Sequence, residues 1–329
     1  MDQSLVKSES MSRLNVAVWG LGNHAKNRIL PTLADINEIN LLGVCSRSKT
    51  SVADISEQWG CYGWCNPEEM LKCPTLDIIY IATPIGLHFS MAEQALKAGK
   101  HVWCEKPLTC DYRETQTLVA LAKKNSKVLT ESFMYLHHPQ FKRVKQFVDQ
   151  SHEVNFINCR FGIPDLAVPG FRNDPKRCGG ALWDVASYTT SALLALCPEQ
   201  QVKVLFSEVI HNESSPVDTE GRAILRFSGG LTAYLEWAVG VAYKNEIDIW
   251  SKDGSLYTNK IFSKPSGYQP KYYLRDLHGK THIELGEEFD QFAEMFHHFV
   301  EMMDNNDKIE AEREAILRRA KLLNEIVTF

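Results

Sequence analysis

Short apolar runs alternate with segments of helical period in the first 135 residues, and this alternation constrains the fold more than any other feature. LNVAVW (14–19) is rich in β-forming residues and is followed by a glycine-containing turn and a helical segment that ends near Ile36. The same order repeats at INLLGVCS (39–46), LDIIYIA (76–82), HVWC (101–104) and KVLTES (127–132). Because continuously apolar strands separated by helices are typical of a parallel sheet covered on both faces, we predict a doubly wound α/β domain over 13–135, after a polar tail over 1–12.

A turn with two glycines directly follows the first strand. Residues Gly20, Leu21, Gly22, Asn23, His24 and Ala25 match the pattern G-x-G-x-x-G/A at the start of a helix. Gly20 would allow a tight turn, Gly22 would let the backbone approach a pyrophosphate, and the small Ala25 would let the helix pack on the strand. The helix N-terminus would then hold the anion. We therefore predict a Rossmann dinucleotide-binding site that includes Asn23 and His24.

The end of the second strand bears on the choice between the two nicotinamide cofactors. An NAD site usually has an acidic side chain here, but this strand ends in Cys45, Ser46 and Arg47. A guanidinium would neutralise a 2′-phosphate, and a hydroxyl could hydrogen-bond its oxygens. We predict that Ser46 and Arg47 select NADP(H); NAD is the alternative if Arg47 is only a solvated loop residue.

Two further segments end at the carboxyl edge of the predicted sheet, where open α/β folds bind ligands. The third strand is followed by Thr83, Pro84 and then His88, and the fourth by Glu105, Lys106 and Pro107. Both segments would lie beside the nicotinamide. We predict that five of these side chains contact the cofactor, namely Thr83, Pro84, His88, Glu105 and Lys106.

Charge and composition exclude several classes of partner. The net charge of -5 and a pI near 6.1 leave no basic excess for a nucleic-acid backbone, and the basic cluster KRVK (142–145) is typical of a solvated helix face. No apolar run is long enough to span a bilayer, and MDQSLVKSES lacks the apolar segment of a signal peptide. We expect a cytoplasmic protein without nucleic-acid or membrane partners.

Cysteines and histidines give no metal pattern. Cys61 and Cys65 in CYGWC have no second pair at zinc spacing, so we expect a turn with two buried thiols. The paired histidines 137–138 and 297–298 also lack metal-ligand spacing. Because a cytoplasmic protein keeps its thiols reduced, we expect nine free cysteines and no metal site.

The pattern changes after about residue 150. Six runs of strand character follow one another with few helices between them: VNFINCRFG, QVKVLFSEVI, GRAILRFSG, LTAYLEWAVG, NEIDIWS and GSLYT. Such runs favour a mostly antiparallel sheet, and two amphipathic helices close the chain. We predict a second, α+β domain over 136–329 with a large open sheet for binding substrate and for dimerisation.

The chain resembles the glucose-fructose oxidoreductase, inositol dehydrogenase and MocA-like family in three hallmarks. These are the glycine loop (20–25), a T-P-x-x-x-H segment (83–88) and an E-K-P tripeptide (105–107). The resemblance covers nearly the whole chain and is greatest to the branch with dimeric dihydrodiol dehydrogenase and NADP-dependent sugar dehydrogenases. It implies a sugar, polyol or nucleotide-sugar substrate, and a homodimer or homotetramer formed through the second sheet.

In that branch a D-x-x-x-Y pair replaces the D-x-x-x-H of inositol dehydrogenases, and the pair here is Asp184 and Tyr188. Their i, i+4 spacing places them on one face of a helix. Oxidation or reduction of a carbinol moves a proton at its oxygen, and a nearby ammonium lowers the pKa of a phenol. We predict Tyr188 as general acid/base, Lys106 as the cation that tunes it and hydrogen-bonds the substrate oxygen, and Asp184 as a positioning group.

Other candidates and departures concern the substrate. Arg172 is predicted to contact the substrate and His88 to lie near the nicotinamide, although each could instead cap a helix or satisfy a loop. Where the branch commonly has an arginine after the M-Y pair this chain has Leu136, and where it has a glycine before the tyrosine this chain has Ala186. Substrate specificity is therefore not inherited from the family.

Three functions are consistent with these features. The first is an NADP(H)-dependent dehydrogenase or reductase of a sugar, polyol or related carbinol. The second is an NAD-dependent glycoside hydrolase of the same fold, which would retain its cofactor and show no net NADPH turnover. The third is a non-catalytic dinucleotide-binding regulator, against which Lys106, Asp184 and Tyr188 count, because a binding module needs no proton relay.

Overall fold

Six parallel strands form the first sheet of the computed structural model, which describes residues 13–165 and 170–329. The order is β3-β2-β1-β4-β5-β6, so the direction of winding reverses between β1 and β4. The strands are β1 (Leu14–Trp19), β2 (Ile39–Cys45), β3 (Tyr62–Trp64), β4 (Ile78–Ile81), β5 (His101–Cys104) and β6 (Leu129–Glu131). The predicted doubly wound sheet is confirmed, and ligands bind such sheets at the carboxyl ends of the strands beside this reversal.

Helices cover both faces of this sheet. They are α1 (Leu30–Asp35, preceded by a π-helical turn over Ala25–Ile29), α2 (Lys49–Trp59), α3 (Pro67–Leu71), α4 (His88–Lys97) and α5 (Tyr112–Lys124). Alternate residues of β1 enter different cores: Val16 and Val18 face one cluster, whereas Ala17 and Trp19 face the other. The continuously apolar strands follow from this burial on both faces.

The CYGWC segment is a strand and not a turn, so the expectation for it was wrong. Tyr62–Trp64 pairs in parallel with Gly43–Cys45 at the edge of the sheet. A side chain at Gly43 would collide with the ring of Trp64, so this glycine lets the edge strand pack closely. Cys61 is half-buried and Cys65 is exposed, which differs from the two buried thiols expected.

Eight strands form the second sheet, in the order β14-β13-β12-β11-β7-β10-β9-β8. They are β7 (Val154–Ile163), β8 (Val202–His211), β9 (Asp218–Phe227), β10 (Thr232–Val239), β11 (Lys244–Ser251), β12 (Ser255–Asn259), β13 (Lys271–Arg275) and β14 (Thr281–Leu285). All neighbours are antiparallel except β7 and β10. The predicted mostly antiparallel sheet is confirmed; β13 and β14 at its edge were missed.

Four more helices lie in the second part of the chain. They are α6 (Pro139–Gln150), α7 (Ser187–Leu196), α8 (Gln291–Met302) and α9 (Asn306–Thr328). Helix α8 packs Phe296 against Tyr80 and Trp103 of the first sheet, with ring centroids 5.5 and 5.8 Å apart. Helix α8 of the second part of the chain therefore packs on the first sheet. The domain boundary at residue 135 stays a prediction. No helix among the described residues is both long and apolar enough to cross a membrane.

Candidate active site

A cavity of about 870 Å³ opens at the carboxyl ends of β1, β4 and β5, with walls from both domains. We call one part the cofactor end, formed by Gly20–His24, Ser46 and Arg47, and the other the substrate end, formed by Lys106, Arg172, Asp184 and Tyr188. Thr83, Pro84, His88 and Glu105 lie along the cavity as well. Thus all the predicted site residues except Ala25, which is buried behind the loop, line one cavity.

The glycine loop has the geometry that a dinucleotide requires. Gly20 has a φ of +113°, and a Cβ there would lie 2.7 Å from the carbonyl oxygen of Ala82, so only glycine fits. A Cβ at Gly22 would meet no atom within 4 Å, because this residue faces the open cavity. Ala25 is 1% exposed and starts the helical turn. The residues present therefore fit a pyrophosphate held against backbone N–H groups at the start of the helix.

Ser46 and Arg47 line the same end directly after β2. Ser46 is half-buried and Arg47 is exposed, and Arg47 forms no ion pair within residues 13–165 and 170–329. A hydroxyl and an unpaired guanidinium suit a phosphate on a ribose 2′-oxygen.

Glu105 links the glycine loop to the E-K-P segment. Its carboxylate accepts a hydrogen bond from the hydroxyl of Tyr80 at 2.5 Å and pairs with Nε2 of His24 at 3.0 Å. Burial raises the pKa of Glu105, but the neighbouring His24 and Tyr80 outweigh this and hold it below its usual value. Burial likewise opposes the charged form of His24, yet the Glu105 carboxylate raises the pKa of this imidazole. Glu105 is thus an ionised group that hydrogen-bonds two side chains of the cavity region, Tyr80 and His24, and holds them in place.

His88 joins the two loops that follow β4 and β5. Its side chain is fully buried, with Nδ1 2.9 Å from the carbonyl oxygen of Pro107 and Nε2 2.9 Å from that of Thr83. Burial lowers the pKa of His88. Each ring nitrogen faces a backbone carbonyl oxygen, and a neutral imidazole donates to one of the two, so His88 lies between the two loops and hydrogen-bonds to backbone, as the alternative prediction for this residue stated.

A buried ion cluster forms the substrate end. The Nζ atom of Lys106 donates to the backbone oxygen of Asp184 at 2.7 Å and to its Oδ1 at 2.9 Å. Arg172 Nε donates to Oδ2 of Asp184 at 2.6 Å. Burial would raise the pKa of Asp184, but the two cations hold it well below its usual range. One carboxylate therefore orients two cations, and the cluster keeps a net positive charge.

Tyr188 differs from its expected electrostatic state. The ammonium of Lys106 lies 4.3 Å from the centroid of the Tyr188 ring, whereas the hydroxyl lies 3.9 Å from Sδ of Met134. Burial, followed by the charges of Glu105 and Asp184, raises the pKa of Tyr188 well above its ordinary value. The expectation that Lys106 lowers this pKa was wrong, because the cation faces the ring and not the oxygen. Tyr188 is accordingly a protonated phenol at neutral pH.

The structure adds residues that the sequence did not single out. Arg177, Phe161 and Ser263 also line the cavity. Arg177 could have been predicted from the sequence, since it is a second arginine five residues after Arg172 in the same loop. Phe161 and Ser263 could not have been predicted, because a strand residue and a loop serine become site residues only when the sheet is folded.

A disulfide joins the segment after E-K-P to the residue that follows Arg177. Cys110, after the E-K-P segment, is joined to Cys178, and their Cα atoms are 6.3 Å apart. The expectation of nine free cysteines was therefore wrong for this pair, and the other seven are free. The two residues are 68 positions apart, so only the fold brings them together. No cluster of three or more potential metal ligands occurs among the described residues.

Comparison with known proteins places the chain in a family. Residues 14–133 match a model described as an oxidoreductase family with an NAD-binding Rossmann fold, and residues 141–257 match the GFO/IDH/MocA C-terminal domain. A dTDP-3,4-didehydro-2,6-dideoxy-alpha-D-glucose 3-reductase from Actinomadura kijaniata is 29% identical over 318 residues, which cover 96% of this chain and 95% of that protein. A D-xylose 1-dehydrogenase (NADP(+)) from Haloferax volcanii is 27% identical over 308 residues, with 90% and 91% covered.

Solved structures agree with the sequence matches. A 3-ketoreductase from Actinomadura kijaniata, in complex with NADP and TDP-benzene, superposes with a TM-score of 0.91 at 28% identity. The match covers 96% of this chain and 98% of that one. Both domains are therefore shared. The chain belongs to the GFO/IDH/MocA oxidoreductase family.

Proposed function

We propose that this chain is an NADP(H)-dependent oxidoreductase that transfers hydride between the nicotinamide and a carbinol or carbonyl carbon of a sugar, a polyol or a nucleotide-linked sugar. One observation carries the proposal: Lys106, Asp184 and Tyr188 converge in a cavity whose other end fits a dinucleotide. The relatives named above, a keto-sugar reductase and an NADP-dependent xylose dehydrogenase, support both the reaction and the cofactor.

The roles of the residues follow from their contacts. NADP(H), when bound, supplies or accepts the hydride. The glycine loop binds its pyrophosphate, and Ser46 with Arg47 binds its 2′-phosphate. An ammonium has three N–H donors, and Lys106 uses two on Asp184, so one remains for the substrate oxygen. Asp184 positions Lys106, and Arg172 lies beside both as a substrate contact.

Proton transfer at the substrate oxygen is assigned to Tyr188. The phenol carries a proton at neutral pH, so Tyr188 is the group that can donate it when a carbonyl is reduced, and the same oxygen accepts it back when a carbinol is oxidised. Donation to an oxygen is the step that ketone reduction requires, and the reverse transfer to Tyr188 serves carbinol oxidation. The positive charge of the Lys106, Arg172 and Asp184 cluster stabilises negative charge on that oxygen as it develops.

The experiment that tests this function measures cofactor turnover. Purified protein is assayed for NADPH oxidation with keto-sugars, and for NADP⁺ reduction with aldoses, polyols and diols. We expect stoichiometric NADPH consumption with at least one keto-sugar. Tight cofactor retention with no net turnover, but with glycoside cleavage, would instead support the NAD-dependent glycoside hydrolase; cofactor binding without any reaction would support the regulator.

We also propose a homodimer or homotetramer that forms through the second sheet. On its outer face Phe156, Tyr234 and Trp250 form an aromatic group with exposures of 37, 38 and 64%. Exposed apolar groups of this kind are typical of interfaces. Light scattering should give a multimer for the wild type and a smaller species for Trp250→Glu.

We propose a cytoplasmic location because seven of the cysteines are free, and cell fractionation tests this location.

A further inference from the structure

Arg177 occupies a defined place in the cavity wall that the proposed chemistry leaves unused. It ends the short 3-10 turn Pro175–Arg177, and its side chain lines the cavity with an exposure of 46%. A Cβ at Gly86 would lie 2.8 Å from the Cα atom of Arg177, so the turn packs directly on the loop that follows β4. The backbone of Arg177 is thereby held at the edge of the cavity.

The charges along the cavity are otherwise paired or assigned. Lys106 and Arg172 share Asp184, and Glu105 binds His24. Arg47 lies at the cofactor end, where it suits the 2′-phosphate. Arg177 has a single ionic partner among the described residues, Asp174 at 3.2 Å, and that carboxylate is 38% exposed and not part of the cavity wall. Arg177 is therefore a cation with donors left for a second anion.

The chemistry of a guanidinium indicates which anion. Its planar N–H donors match phosphate oxygens, whereas a neutral sugar gains little from a half-exposed cation. The glycine loop already provides the binding site for the diphosphate of the cofactor. Arg172, five residues before Arg177 in the same segment, reaches Asp184 at the substrate end. A phosphate group on Arg177 would thus belong to a ligand that extends from the substrate end.

We infer that Arg177 binds the diphosphate of a nucleoside diphosphate-linked sugar and so selects this substrate class over free sugars. This inference rests on the proposed function, because it places the substrate's sugar beside Lys106 and Tyr188.

The experiment is calorimetric titration of the NADP⁺-saturated protein with dTDP, with inorganic pyrophosphate and with thymidine. We expect dTDP and pyrophosphate to bind with an affinity that falls as salt is raised, and thymidine to bind far more weakly. Arg177→Gln should weaken dTDP binding about tenfold and flatten its salt dependence, with the affinity for NADP⁺ unchanged.

Two neighbouring residues provide matched variants. Asp174→Asn keeps an oxygen that can accept from the N–H of Lys176 but removes the charge that competes for Arg177, so it should strengthen dTDP binding about threefold. Lys176→Gln removes an exposed cation that does not line the cavity, so it should change dTDP binding by less than about twofold.

The outcomes separate this inference from the proposed function. If NADP⁺ itself does not bind, the proposed function fails. If NADP⁺ binds and neutral keto-sugars consume NADPH but dTDP does not bind, only the assignment of Arg177 is overturned. It is also overturned if Arg177→Gln weakens NADP⁺ and dTDP equally, since Arg177 would then serve the cofactor. If Arg177→Gln folds poorly, two other results decide the matter. The assignment is overturned if the affinity of the wild type for dTDP does not depend on salt, or if Asp174→Asn does not bind dTDP more tightly.

Discussion

The two ends of the cavity are built in different ways. The cofactor end uses backbone and exposed side chains from short contiguous stretches, with Gly22 open to the cavity and Arg47 exposed. The substrate end uses buried charges from distant segments, with Lys106 and Asp184 78 positions apart and about one-tenth exposed. Because an unpaired buried charge is costly, a change at the substrate end should affect both turnover and stability. A change at the cofactor end should affect affinity alone.

Replacing Lys106 with Met should have the largest effect. Turnover should fall about 10³-fold, because the substrate oxygen loses its donor and Asp184 loses one of two cations, with the affinity for NADPH retained. Steady-state kinetics and cofactor titration measure this. Lys100→Met is the matched control, since Lys100 is a buried amine bonded to the carbonyls of Cys73 and Leu76 outside the cavity. The control should lose stability and keep its kcat; equal kcat losses in both variants would refute the role of Lys106.

Asp184→Asn should separate stability from chemistry. The folded pKa of Asp184 lies below its unfolded value near ~3.9, so its ionisation stabilises the fold above about pH 4 and this contribution is lost as the pH falls through the folded value. We expect the variant to lose about 3 kcal/mol of unfolding free energy at pH 7 and about 1 kcal/mol less than that at pH 3, because pH 3 lies just below the unfolded pKa and still above the folded one. Urea unfolding at both pH values measures this, and a loss that does not change with pH would contradict it.

Arg47→Ala should change cofactor preference without changing stability. Loss of a charge-assisted contact to the 2′-phosphate should lower the preference for NADPH over NADH by about ten- to a hundredfold. The ratio of kcat/KM values for the two cofactors measures the effect. Arg28→Ala removes an exposed cation outside the cavity and should leave the ratio unchanged. A wild-type preference for NADH would show that Ser46 and Arg47 do not bind a phosphate.

His24→Gln should have the smallest effect, visible only as a function of pH. The folded pKa of His24 is raised, so its charge and its pair with Glu105 are fully present below about pH 6.5 and are lost as the pH rises through the folded value. NADPH affinity of the wild type should therefore weaken severalfold over that rise, because a cation beside the glycine loop is lost. In the variant the affinity should not change with pH, and fluorescence titration of NADPH gives the comparison.

Sequence reasoning succeeded where function is encoded by contiguous residues. The apolar runs gave β1 at Leu14–Trp19, and the glycine pattern gave a loop whose Gly20 has the positive φ that such a turn requires. It failed where neighbours are set by folding. The edge strand at Tyr62–Trp64 depends on the space beside Gly43, and the pairing of Cys110 with Cys178 depends on how two loops meet.

Lys106 and Tyr188 show the division most clearly. The helical position of Tyr188, the place of Lys106 directly after a strand and their joint role in one site followed from sequence pattern and family resemblance. The orientation of the ammonium did not, because Asp184 draws it to two oxygens and leaves it over the face of the ring. Periodicity and spacing report which side of an element is buried, so they determine the fold class and the location of the site. The protonation state of Tyr188 depends on burial, and the availability of Arg177 for a ligand depends on which anions lie within a few ångströms. Only the tertiary structure decides both properties.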